Sequence, residues 1–494
     1  MSPYTLWAAV ILLGGSIFRL WYSTHLELVG DEAYYWLWSR HPDICYLDKG
    51  PVIAWFIWVG TALFGQTVFG IRFFAVLLAC GTGIGIYLLA RKLFSDKVAF
   101  WSVVLAAVTP LFAVGATLMT IDTVYIFFWT FAALTFWQAK DEEKLRWWLL
   151  TGILIGFSML SKYTGAIQLL SFAAFCLWHR PSRRHFRHPT FYVMVLVATL
   201  FLVPMLIWNW RYGFPTSQFL VHRGALDERT QIRPLEVFSF LAQQAGVISP
   251  LLFFGLIIAL CWPRFAGTPK TETTYLVSLF LPLFLLYLFL SFQKASQANW
   301  AAAAYIGGLI LVAAKWTEAL RTRPHLRWLV IAGVGLALLE TGILHETSWL
   351  HLPGQLDPLD RARGSRDLAA QIAELQRKTG ARFVITNKYM TAALLSFYLP
   401  HQPDTFMPVS SPPFNQIVLW PTYRTKHPAD NAIFVTDSNR VPTSVTQDFP
   451  DIKPVGEIRT SEAGRSVGRF DVFFCRRSAP DDALESLKSK IDCR

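Results

Sequence analysis

Eleven apolar stretches decide what this chain can become. A segment needs about 20 mostly apolar residues to cross a bilayer. Such runs fall at 4–22, 66–90, 98–117, 121–138, 148–160, 163–178, 190–209, 237–261, 274–292, 299–316 and 328–345. The expected fold is therefore mainly α, a polytopic bundle of about eleven transmembrane helices. Composition agrees, with 53% apolar and 16% charged among 494 residues, where a soluble protein carries about 25% charged. Disorder, a collagen helix and a small disulfide scaffold are excluded. The 20 Trp and 39 Phe suit lipid-facing helices with aromatic belts at the interfaces. The first run lacks a basic leader and a small-residue cleavage site, and reads as a retained span.

The net charge of +12 does not signal nucleic acid. The bases sit in short loops between apolar runs, where positive-inside topology puts them. With the N-terminus in the cytoplasm, the cytoplasmic loops carry Arg91, Lys92 and Lys97; Lys140, Lys144 and Arg146; Arg180, Arg183, Arg184 and Arg187; Arg264 and Lys270; and Lys315, Arg321, Arg323 and Arg327. Splitting 148–178 into two spans at Ser161-Lys162 keeps the segment RPSRRHFRH on that side. The expectation is a multi-pass protein of the cell inner membrane, with the C-terminal part periplasmic or extracellular.

Two domains are expected: a membrane domain over 1–348, with a long first extracytoplasmic loop at 23–65, and a soluble α/β domain over 349–494. In the second, 366–378 reads as an amphipathic helix, 391–399 as a second helix, and 381–386, 431–436 and 468–474 as buried strands. Cys80, Cys176 and Cys261 read as packed thiols. Cys475 and Cys493 can pair if their domain lies outside the cytoplasm.

Four motifs carry chemistry. In Val29-Gly-Asp-Glu-Ala-Tyr-Tyr-Trp-Leu-Trp38, helical spacing puts Asp31, Tyr34, Tyr35 and Trp38 on one face, with Glu32 about 100° away. Taken alone, this is equally an interfacial aromatic belt with two acids at a helix start. Tyr46-Leu-Asp-Lys-Gly-Pro51 sets Asp48 and Lys49 before an apolar run that Pro51 can open. A Lys beside free N–H groups can hold a phosphate, or snorkel and pair with Asp48. Met119-Thr-Ile-Asp-Thr123 puts Asp122 at the mouth of a span, where an acid is either functional or a helix cap. Lys162 interrupts the run 148–178. His222, Arg223, Lys294 and Asn299 fall in later loops on the same predicted side. Together these loops bring acids, bases and aromatic rings to one face, which suits a sugar ring, a phosphate and a hydrocarbon tail.

These motifs, in this order, resemble the GT-C glycosyltransferases. More narrowly they are similar to bacterial members of glycosyltransferase family 39, relatives of the protein O-mannosyltransferases and of the aminoarabinose transferase that modifies lipid A. The likeness covers roughly residues 1–300; in the tail, 387–398 and 415–420 look like segments of some bacterial members. It implies a GT-C membrane fold, a polyprenyl-phosphate-sugar donor and an extracytoplasmic site. It also implies an acceptor among lipid A, core oligosaccharide, another glycolipid or protein. The transferred group would be a hexosyl or pentosyl residue. By resemblance, Asp31, Glu32 and Asp122 are the catalytic acids. Lys49, Lys162, Arg223 and Lys294 take the donor phosphate. Tyr34, Tyr35, Asp48, His222 and Asn299 line the substrate. Gly50 stands where those relatives have a Pro. No cofactor is implied; clustered acids could take a divalent metal, but nothing in the sequence demands one. The competing reading is a flippase or transporter of a lipid-linked sugar or anionic lipid. It would lack the one-sided clustering of charge.

Overall fold

The computed structural model describes residues 2–223, 233–261, 270–293, 297–350, 357–408, 413–462 and 465–477. The chain divides into two compact units. One comprises Met1–Thr24 and Pro42–Leu350, the other His25–His41 and His351–Arg494.

The first unit is helical, and each of the eleven apolar runs folds as helix. Among the described residues, five helices are long and apolar enough to cross a membrane: Pro3–Tyr22, Val68–Leu93, Pro189–Tyr212, Lys270–Leu290 and Pro324–His345. The run 237–261 is not one straight span. It breaks into Pro234–Ile248 and Pro250–Cys261, bent by 110°. Ser249 at the break has φ 79°, and Pro250 has no N–H to continue the ladder. Pro110 similarly divides 98–117 into Asp96–Val108 and Pro110–Gly115. The run 148–178 is two helical pieces, Leu145–Ser161 and Tyr163–Trp178, each shorter than a full span. Lys162 between them is extended, at φ −150° and ψ 126°. The segment 23–65 has the helical content its motifs led one to expect. It contains two helices, Gly30–Arg40 and the apolar Val52–Phe64.

The helices pack through aromatic side chains. The Phe136 and Phe172 rings stack at 3.9 Å, beside the buried Trp129, Trp148, Phe175 and Tyr275. Outward faces stay apolar: Trp7, Leu13 and Ile17 are exposed on Pro3–Tyr22. In water that would cost free energy; in hydrocarbon it is what a spanning helix must show. Polar side chains inside the bundle pair with neighbouring helices. The Thr151 hydroxyl donates to Thr135 Oγ1 at 3.0 Å, and the Gln168 amide to the Trp129 carbonyl at 2.7 Å. Cys176 is buried as expected, but Cys261 is exposed.

The second unit is α/β. Four strands, β1 (Phe383–Thr386), β2 (Ala432–Thr436), β3 (Asp451–Glu462) and β4 (Arg465–Arg476), form one sheet in the order β1-β2-β4-β3. β1 and β2 are parallel; the other pairings are antiparallel. β1 and β2 are buried at every residue, as strands covered on both faces are. Leu368 and Ile372 of helix Ser365–Thr379, with Leu395 of helix Tyr389–Tyr398, cover Val384, Ile433 and Val472. Phe406, Tyr423 and Phe449 cover Phe383, Ile385 and Phe434. The unpredicted strand is β3. It is polar, contains Pro454 and has two register shifts, the usual marks of an edge strand. Burial pushes the Cys475 thiol up to about 12, so it is a packed, inert group; Cys493 lies outside the described residues.

Candidate functional site

In the first unit, the chemistry gathers where helices begin and end. Asp122 lies in the first turn of Ile121–Glu142. The residue before this helix, Thr120, makes no side-chain cap, and Asp122 is engaged elsewhere. Lys162 Nζ donates to its Oδ1 at 2.8 Å, and the Asn299 amide donates to its Oδ2. Asp122 and Lys162 are each 8% exposed. The extended link at Lys162 makes this pair: an unbroken helix would carry the side chain past the acid. Lys162 Nζ also lies 5.6 Å from the Tyr125 ring centroid. One carboxylate therefore accepts from a cation and an amide drawn from residues 40 and 177 positions away.

The Asp48-Lys49 loop packs against the same link. Gly50 explains how. A Cβ at this position would come within 2.0 Å of the Leu160 carbonyl oxygen, so only glycine permits the approach. Helix Val52–Phe64 begins just after Pro51, one residue later than the Pro-first reading placed it. The Cys45 sulfur sits 3.8 Å from the Tyr163 hydroxyl and 3.4 Å from the Lys49 carbonyl oxygen. Burial pushes the Cys45 thiol up to about 11, so it offers no thiolate nucleophile at neutral pH. Lys49 Nζ donates to the Asp48 carbonyl oxygen at 3.0 Å and lies 3.6 Å from Asp48 Oδ2. Asp48 Oδ1 is buried with no hydrogen-bond partner among the described residues. A buried acceptor without a donor costs free energy, which a ligand hydroxyl would relieve.

In the second unit, Asp31 and Glu32 open helix Gly30–Arg40. They do different work. Glu32 is fully buried, and its Oε2 accepts from the Val29 amide at 3.1 Å, closing the helix start. Asp31 is half-buried and accepts from the Tyr389 hydroxyl at 3.4 Å. Tyr34 is held by a tilted ring contact with Tyr389 at 4.7 Å and by the Gln416 backbone N–H, which donates to its hydroxyl at 2.6 Å. Tyr35 and Trp38 meet edge to face at 4.9 Å. Gly30 faces Met390, whose Cβ would lie 2.5 Å from an added Cβ. Tyr389 and Gln416 are contributions that reading the motifs singly missed. Both fall in the tail segments that carried the resemblance.

The structure thus joins Asp122, Lys162 and Asn299 in one cluster, with Asp48 and Lys49 on the adjoining loop. Asp31, Glu32, Tyr34 and Tyr35 form a second group within their own unit. His222 and Arg223 end helix Pro215–Arg223, and their side chains lie outside the described residues, as does Lys294. Among the described residues, no three His, Cys, Asp or Glu side chains come together as metal ligands would.

The chain is similar to several known proteins. A family model described as dolichyl-phosphate-mannose-protein mannosyltransferase matches residues 48–208, the stretch holding Asp48, Lys49, Asp122 and Lys162. The lipid A galacturonosyltransferase RgtD of Rhizobium johnstonii is 27% identical over 415 residues, covering 80% of this chain and 82% of the relative. The undecaprenyl phosphate-alpha-4-amino-4-deoxy-L-arabinose arabinosyl transferase of Pseudomonas paraeruginosa is 24% identical over 343 residues, 60% of this chain and 62% of its own length. That is just under two thirds of the latter relative. The crystal structure of ArnT from Cupriavidus metallidurans in the apo state superimposes with a TM-score of 0.64 at 17% identity, covering 96% of this chain and 98% of ArnT. The same protein bound to undecaprenyl phosphate gives 0.62 at 16%, covering 95% and 98%. The likeness carried by the motifs is borne out: this is a multi-pass membrane protein with the GT-C fold, of glycosyltransferase kind.

Proposed function

We propose that this membrane glycosyltransferase moves a sugar from a polyprenyl-phosphate donor to lipid A or a kindred envelope glycolipid, at the outer face of the inner membrane. The relative matched over most of the chain is named a lipid A galacturonosyltransferase. That favours a hexosyl group, and a uronic acid in particular, over the pentosyl group of the arabinosyl relatives. The N-terminus lies in the cytoplasm and the second unit in the periplasm, an orientation supported by the basic loops.

The observation that carries this reading is the polar set of the first unit. Lys162 and Asn299 each donate to Asp122, and the Asp48-Lys49 loop packs on the link that carries Lys162. Lys49 and Lys162 hold the donor phosphate, with Arg223 and Lys294 as further cations of the same role. Asp48 Oδ1 takes a sugar hydroxyl, and Asp122 fixes Lys162 while Asn299 fixes Asp122. In the reaction an acceptor oxygen bonds to the anomeric carbon. The bond from that carbon to the phosphate oxygen breaks, and the electron pair leaves on polyprenyl phosphate. The cations stabilise the charge that develops there. Where the acceptor is a hydroxyl, Asp31 takes its proton as general base. A phosphate acceptor is already ionised and needs no base, and Asp31 then only positions neighbouring groups. Glu32 keeps the helix start in place; Tyr34, Tyr35 and His222 shape the substrate's surroundings.

The test is turnover. Purified protein is incubated with an undecaprenyl-phosphate uronic acid and lipid A. Release of free undecaprenyl phosphate together with a lipid A product heavier by one sugar is expected. Movement of the intact donor across a vesicle bilayer, with no product formed, would contradict the proposal and establish a transporter.

A further inference from the structure

The roles above do not use Gln244, a fully buried polar side chain of the first unit. It lies in the last two turns of helix Pro234–Ile248, ahead of the bend at Ser249. Its amide donates to the Ala298 carbonyl oxygen at 3.1 Å. Its own carbonyl oxygen accepts from the Tyr305 hydroxyl at 2.9 Å. Tyr305 is fully buried as well. These two partners flank Asn299. Ala298 opens the 3₁₀ helix Ala298–Ala301, and Tyr305 lies in the first turn of helix Ala304–Thr322. One side chain therefore grips both ends of the short stretch that carries Asn299.

The surroundings are apolar, with Phe240, Ile248, Phe284 and Ala301 in the same core. An amide buried there costs free energy unless both of its ends are bonded. Leu or Met would fill the space without that cost. What glutamine adds is direction. It donates at one end and accepts at the other, so the two bonds fix how the amide lies and hold the turn against the helix. The turn has little else to hold it. Ala298 and Ala301 to Ala304 offer no polar side chain, and a single 3₁₀ turn is weakly bonded in itself. Asn299 then donates to Asp122 Oδ2, while Lys162 donates to Oδ1. A continuous series of bonds and backbone runs from Gln244 through Asn299 and Asp122 to Lys162.

We propose that Gln244 is a positioning residue for the donor-phosphate site. It sets the turn so that Asn299 meets Asp122, and Asp122 in turn aims Lys162. The inference rests on the reading of Lys162 as a phosphate ligand and deepens it. It adds the bent helix Pro234–Ile248 to the parts of the fold that shape the site.

The experiment measures equilibrium binding of undecaprenyl phosphate to the full-length protein in detergent. Gln244→Met and Asn299→Ala are made singly and together; Met keeps the volume and removes both bonds. Gln244→Met should raise Kd about fivefold, as expected when one hydrogen bond in the series loses its geometry. On the Asn299→Ala background it should change Kd by less than about 1.5-fold, because members of one network do not add. On the Lys49→Ala background it should keep its full effect, since Lys49 belongs to a different loop. A substitution that merely loosens the bundle would raise Kd by the same factor on both backgrounds, and that result overturns the proposal. Tyr305→Phe removes a single oxygen and serves where Gln244→Met does not fold. It should raise Kd about threefold, again only while Asn299 is present. If Lys162→Ala raises Kd and neither Gln244→Met nor Tyr305→Phe does, the positioning role alone is wrong. If Lys162→Ala leaves Kd unchanged, the phosphate reading fails and this inference falls with it.

Discussion

The two polar clusters of this protein handle charge in opposite ways. In the membrane unit, Asp122 and Lys162 pair one to one at 2.8 Å, each 8% exposed, with Asn299 on the remaining carboxylate oxygen. In the second unit, Asp404 faces Arg40, His41 and Lys426 in partial contact with water. Desolvation explains the contrast. A buried ion must be matched in charge and in hydrogen bonds, because an uncompensated one costs several kcal/mol. A half-exposed cluster can keep a surplus, because water carries the difference. The first arrangement fixes a geometry; the second leaves its surplus charge to the solvent.

The largest expected effect lies in neither cluster. Asp31→Asn keeps shape and removes the base, so transfer to a hydroxyl acceptor should fall by about 10²–10⁴-fold. The protein should still insert and elute as a folded species. Turnover equal to wild type in a radiolabelled-sugar assay would refute the base. A variant that loses transfer to a phosphate acceptor as well, where no base is needed, would assign Asp31 to positioning.

Next comes the matched pair. Lys162→Met leaves the Asp122 carboxylate buried without its cation, and should destabilise the membrane unit by about 3–5 kcal/mol. Adding Asp122→Asn should restore most of the thermal stability but not activity. A single variant as stable as wild type would mean that the pair is not desolvated, and the contrast drawn above would fail.

Much of this was legible in the sequence, and the reasons are physical. Asp122 and Lys162 stood out because charge inside apolar runs is costly, so each announced itself alone. Their pairing was not legible, since residues 40 apart meet only when two helices and an extended link are in place. Gly50 was visible as a departure from a Pro, but its cause, the Leu160 carbonyl, belongs to packing. The bend at Ser249 was hidden because hydrophobicity records burial and not direction. β3 was missed because an edge strand needs no apolar period. The hydrogen bond from Tyr389 to Asp31 spans 358 positions, and periodicity says nothing at that range.

That bond gives a smaller prediction. Tyr389→Phe removes a donor that holds Asp31 without touching the reaction directly. Turnover should fall about fivefold, the worth of one hydrogen bond of about 1 kcal/mol, with donor KM unchanged. If donor KM rises in step with the fall, Tyr389 contacts the substrate instead.

The smallest effect concerns Asp404 and acid. Its folded-state pKa is depressed by His41 and Lys426, so the unfolded chain binds the proton more readily. The stability this contributes is present above the unfolded carboxylate value, about 3.9. It is lost as pH falls from there through the folded value. Melting of wild type and Asp404→Asn should therefore differ at pH 7 and hardly change between pH 7 and 5. The difference should shrink only below about pH 4. A gap that already closes between pH 7 and 5 would contradict this assignment.

The claim on which the rest depends is that Lys49 and Lys162 receive a prenyl phosphate. Equilibrium binding of undecaprenyl phosphate to detergent-purified wild type, Lys49→Ala and Lys162→Ala tests it without any acceptor or turnover. The account predicts a rise in Kd of about tenfold for each variant, and weaker binding by wild type as salt is raised. Unchanged Kd in both variants, measured on protein that still melts cooperatively, would contradict it.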